Sequence, residues 1–116
     1  MSIGVNTVYD ASVDNTNQVV AARGCTLRYF LLSNPGTVDA YFQVFDALTA
    51  DVTVGTTTPK ASFIIPAGVS ATQAGAYEYT GPPIHFQKGL VYACTTTSAG
   101  GTDPVVKPVL GLLEWT

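Results

Sequence analysis

Ala40-Tyr41-Phe42-Gln43-Val44-Phe45-Asp46 is the stretch on which the fold class turns, because two periodicities compete in it. Val38, Tyr41, Phe42, Phe45 and Leu48 recur at helical spacing, with Thr37 placed to cap a first turn. Read as a strand, the same segment sets Phe42 and Val44 on one face and Tyr41, Gln43 and Phe45 on the other. Its density of aromatic and β-branched side chains suits a pleated surface, so the strand reading prevails. That reading leaves both faces partly apolar, which then needs a reason.

Outward from this stretch, turn residues recur at short intervals: Asp14 to Asn17, Asn34-Pro35-Gly36, Gly55 to Pro59, Pro66-Ala67-Gly68, Gly81-Pro82-Pro83, Lys88-Gly89 and Ser98 to Pro104. Turn signals roughly 8–12 residues apart mark a sandwich or barrel. Between them lie candidate strands at 3–9, 19–22, 26–33, 38–47, 52–54, 61–65, 72–79, 84–86, 89–97 and 105–115. Pro108 cannot donate to a ladder, so the last segment reads as an edge strand or as two strands joined at a bulge. The expected fold class is all-β: a single antiparallel β-sandwich over residues 1–116, with a jelly roll as candidate topology and 1–17 as a candidate N-terminal arm.

Composition agrees. Sixteen Thr and six Ser fill surface that Lys and Glu usually occupy, and only 11% of the 116 residues are charged, against about 25% in an ordinary domain. With 47% hydrophobic residues and a net charge of −3, the chain is not disordered. The five basic residues, Arg23, Arg28, Lys60, Lys88 and Lys107, form no stripe, so nucleic acid is not an expected partner. No window reaches the ~18 apolar residues of a helical membrane span, and Met1 to Thr7 lack the pattern of a cleaved leader. No membrane association is therefore expected, and either no export or a leader already removed.

Chemistry-bearing residues are few. His85 is the single histidine and sits between Ile84 and Phe86, the setting of a structural side chain more than of a general base. Glu78 lies between Tyr77 and Tyr79; alternation turns the two rings to one face and the carboxylate to the other. Asp10 to Asn15 offer oxygens at calcium-loop spacing, but Asn15 stands where the loop needs glycine and Ala21 where it needs glutamate. No His/Cys cluster suits zinc, and Ser98 to Pro104 lack the Gly-Lys-Ser/Thr ending of a phosphate loop. Cys25 and Cys94 read either as buried free thiols or as a long-range disulfide. No catalytic, cofactor or metal site is expected, and the expected protein is not an enzyme.

Apolar residues occur on both faces not only in 40–46 but in 27–32 and 109–113. A two-layer sandwich buries one face per sheet, so the second is covered by the chain's own loops or by a partner. The partner reading takes Tyr41 and Phe45, with Val5, Val8 and Tyr9 of the arm, as interface candidates.

Several segments in order resemble a type of small virion structural protein of tailed bacteriophages. They are Asn34-Pro35, Tyr41 to Ala47, Val52 to Pro59, Ile64 to Gly68, Ile84 to Leu90 and Ala93 to Thr97, spanning roughly residues 34–103. The resemblance implies a non-enzymatic all-β head decoration or cement protein, made in the host cytoplasm and bound to the virion head surface through the major capsid protein. A homotrimer would match the quasi-threefold positions of a shell. Rival expectations are a tail or fibre component, a carbohydrate-binding module stacking sugars on Tyr77, Tyr79 and Trp115, and a hydrolase using Glu78 with a second acid.

Overall fold

The computed structural model describes residues 5–70 and 72–116. Among these residues nine strands form two antiparallel sheets: β1 (Asn6–Asp10), β2 (Gln18–Ala21), β3 (Cys25–Asn34), β4 (Ala40–Asp46), β5 (Ala61–Ile65), β6 (Gly75–Tyr79), β7 (Ile84–Phe86), β8 (Leu90–Thr95) and β9 (Val109–Trp115). One sheet runs β1-β9-β3-β6, with β7 pairing the opposite end of the same side of β3; the other runs β2-β8-β4-β5. Because β6 pairs with residues 30–34 of β3 and β7 with residues 25–27, the two short strands together occupy one edge position. With them merged, successive strands alternate between two four-stranded sheets except at the β4–β5 hairpin, which is the strand order of a jelly roll.

The segment 40–46 is a strand, β4, central in its sheet between β8 and β5. Ala40, Phe42 and Val44 face the core between the sheets, where they meet Phe30, Leu32, Leu110 and Leu113. Phe30 is the hub. Its ring lies 5.0 Å from Phe42 and from Phe63, 5.8 Å from Tyr77 and 5.2 Å from Tyr79, the last nearly parallel at 6°. These aromatics fill the gap between edge strands β5 and β6, which lie in opposite sheets.

Bulges account for the broken alternation. Leu27 pairs with Trp115 and Tyr29 with Glu114, so Arg28 is an extra residue in β3, and Leu27 and Phe30, three apart, both point inward. Gly111 plays the same part in β9: Leu31 pairs with Leu112 and Leu32 with Leu110, leaving Leu110 and Leu113 both buried.

Three expectations need correction. Residues 52–54 are not a strand; a 3-10 turn at Thr49–Asp51 and a following turn occupy that region. The last strand is neither an edge strand nor a pair of strands, since β9 lies between β1 and β3. Pro108 immediately precedes it, where no ladder N–H is required, and its carbonyl accepts from the Val13 N–H at 2.9 Å. The described part of the expected arm is not a free extension: β1 pairs with β9, and Val13 is buried in the core. Residues 1–4 of that arm lie outside the described residues.

Candidate functional site

The apolar outer faces of the two sheets have different fates. On the β2-β8-β4-β5 sheet, Phe45, Val91 and Ala93 point away from the core, yet Phe45 is only 1% exposed. The 47–60 segment folds back over them and adds Val52, with Ala47 and Val54 packed alongside. Polar anchors hold this cover. The Asn17 Nδ2 amide donates to the Thr49 carbonyl at 3.0 Å and to that of Val52 at 3.2 Å. The buried Gln43 Nε2 donates to Thr95 Oγ1 at 2.7 Å and to the Thr97 and Gly100 carbonyls, both at 3.1 Å, fastening the β8–β9 loop over β4. Where the two covering loops meet, Gly55 adopts φ +92° and a Cβ there would stand 3.0 Å from the Gly101 backbone, so both conformation and space demand glycine.

The loop-covering alternative therefore holds for Phe45, and the expectation that it meets a partner is corrected: the chain's own residues bury it. Tyr41 is half-buried on the same outer face, between Ile64 and Thr95 in register.

Among the described residues, no loop contributes a hydrophobic cluster over the outer face of the other sheet. Its middle row runs Leu112, Leu31, Glu78 across β9, β3 and β6, with Tyr9 of β1 beside it where the β1–β9 register shifts, and the next row carries Thr7, Glu114 and Tyr29. Tyr9 is 67% exposed and Leu31 38%; Leu112 and Tyr29 are half-buried, and none of the four packs into the core cluster. The Tyr29 hydroxyl donates to Glu78 Oε2 at 2.7 Å. That bond and the negative charges of Glu78 and Glu114 push the phenol above its ordinary range. Of the expected arm residues, Tyr9 belongs to this face and Val5 is exposed just before β1, whereas Val8 turns inward against the core.

The sugar platform is not assembled. Tyr77 and Tyr79 face inward onto Phe30 and Phe63, and Trp115 is half-buried against the core with the Arg23 guanidinium 5.1 Å from its ring. Glu78 is on the opposite, solvent side, as alternation requires. His85 is exposed and shares a 3.0 Å hydrogen bond between Nδ1 and Thr26 Oγ1. Cys25 and Cys94 lie on strands of opposite sheets and are free; burial pushes both thiols above their usual range, though Arg23 partly offsets this at Cys25.

Among the described residues no group of three or more His, Cys, Asp or Glu could hold a metal ion. No described helix is long and apolar enough to cross a membrane. A shallow cavity of about 290 Å³ opens between the 36–39 and 104–106 segments. Its one carboxylate, Asp39, is already engaged by the Ala67 N–H at 2.8 Å. Comparison of the chain with family models, with curated proteins and with solved structures finds no match.

Tyr29, Leu31, Leu112 and Glu114 form the uncovered face, yet sequence reasoning did not select them. The signal present was the doubled apolar pattern of 27–32 and 109–113. What hid it was the pair of bulges, which change the outward set midway along each strand.

Proposed function

We propose that this chain is a non-enzymatic structural protein of a phage virion, a decoration or cement protein that binds the major capsid protein on the assembled head. The observation that carries the attachment is the uncovered apolar face of the β1-β9-β3-β6 sheet, beside a second sheet whose outer face the chain insulates itself. A subunit that works alone has reason to cover both faces; one that docks leaves a face for its partner. The resemblance of residues 34–103 to small virion proteins supports the identity of the particle. Jelly rolls recur in capsid and lectin domains, so the fold is compatible with this role without selecting it. Binding only the assembled shell would stabilise it by mass action, about 2.7 kcal/mol per site at a hundredfold excess over Kd.

The test is sedimentation with heads stripped of the protein. Wild type should pellet with heads, while the double variant Tyr9→Ser, Leu31→Thr should stay in the supernatant with an unchanged circular dichroism spectrum. Phe45→Ser is the contrasting variant: removing a buried ring costs about 3–5 kcal/mol, so it should lose the fold itself. Undiminished pelleting of the folded double variant would move attachment to another surface, and wild type that never pellets would remove the head reading. Light scattering of the released protein tests the homotrimer.

A further inference from the structure

The chain contains only two glutamates, Glu78 and Glu114, and both stand on the uncovered face. Most aspartates are engaged elsewhere in the fold. Asp14, Asp39 and Asp46 accept backbone N–H groups in turns, Asp10 accepts the Tyr92 hydroxyl, and Asp103 pairs with Lys107. The cations are mostly engaged away from this face as well. Arg23 lies over Trp115 and Lys60 over Phe86, while Arg28, exposed at the β3 bulge on the rim of this face, has its Nε committed to Thr116 Oγ1. Lys107–Asp103 is the one ion pair among the described residues, so neither glutamate is paired with a cation.

Whatever covers Leu31 and Leu112 must also desolvate these carboxylates. A charge buried without a counter-charge or donors costs more than the apolar contact returns. A second copy presenting the same face would bring two further glutamates and, as a cation at the rim, only an Arg28 whose Nε is already held by Thr116 Oγ1. We propose that this face docks a basic protein surface, one that frames an apolar patch with arginine or lysine side chains aimed at Glu78 and Glu114. Arginine is the better fit, because its planar fork matches a carboxylate in two hydrogen bonds and stacks on an exposed ring such as Tyr9. This rests on the attachment reading above and names the chemistry of the partner; contacts between copies of this chain then use other surfaces.

The probes are two peptides, acetyl-Leu-Arg-Leu-amide and acetyl-Leu-Glu-Leu-amide, with cellohexaose as a neutral glycan, each titrated into isotopically labelled protein and followed by NMR. The arginine peptide should shift Tyr9, Tyr29, Leu31 and Leu112. The effect should weaken about tenfold in Glu78→Gln, Glu114→Gln protein whose remaining spectrum is unchanged. It should also fade between about 50 and about 500 mM salt as the Debye length contracts. Equal shifts from the glutamate peptide, shifts from cellohexaose in place of the arginine peptide, or no shifts at this face would overturn the inference. Sedimentation of the same glutamine variant separates the two readings. Heads that retain wild type and variant equally sink the basic partner and leave attachment standing. Heads that retain neither sink attachment, while the titration still decides the chemistry of the face.

Discussion

Asp46 shows a charged residue placed for architecture. At the end of β4 its carboxylate accepts the Gln87 N–H at 3.1 Å and the Lys88 N–H at 2.8 Å, closing the turn between β7 and β8. Partial desolvation works to raise its pKa, but the backbone donors of Lys88, Gln87 and Gly89 and the charge of Lys60 outweigh this, and the carboxyl is held below its ordinary range. A pKa lower in the folded than in the unfolded chain gives a contribution complete above the unfolded value, about 4, and lost as pH falls through the folded one. The melting temperature should therefore fall in acid below about pH 4, and Asp46→Asn should flatten that fall while lowering the neutral value. A variant with the wild-type acid slope would show that other carboxylates set it.

At the scale of the element, the two bulges decide which residues the uncovered sheet shows to solvent. Gly111, at the bulge of β9, has no need of its missing side chain: a Cβ there would meet only the Leu31 carbonyl at 3.7 Å, and its φ is not positive. Gly111→Ala should be neutral or stabilising by up to about 1 kcal/mol, since it restricts the unfolded chain. Gly75, at the start of β6, is the opposite case, because a Cβ would lie 1.9 Å from the Pro66 carbonyl oxygen. Gly75→Ala should lower the urea midpoint markedly, and equal midpoints for the two variants would contradict this account. The contrast marks what was legible in sequence. Strand positions from β2 to β8 followed from turn residues and β-branched density, because both act locally, but the same density also suggested a strand at 52–54 that is not there. The inserted residues at Arg28 and Gly111 arise from pairing between strands far apart in the chain, so no local pattern announced them, and the outward-facing set went unread with them. Phe45 was misassigned for a related reason: the segment that buries it is a loop whose path depends on anchors such as Asn17.

At the scale of the whole molecule, two free thiols on opposite sheets report on the integrity of the sandwich. Neither Cys25 nor Cys94 should be alkylated in the native protein, and both should be in urea without reductant, giving a mass shift of two adducts. Rapid native labelling would mean that the sheets separate locally, and absence of labelling in urea would mean a disulfide. The shortage of charge, 11% of residues, also divides at this scale. Part of it is self-contained, in the doubly buried β4 and β8, and part is displayed on one sheet alone.

That division makes the molecule two-sided, with a consequence for its antigenicity. A layer of subunits docked through the bare sheet would present outward only the insulated sheet with its 47–60 and 96–104 loops. Antibodies raised against whole particles should then recognise those loops, and antibodies against Tyr9 and Leu31 should arise only from immunisation with the free protein.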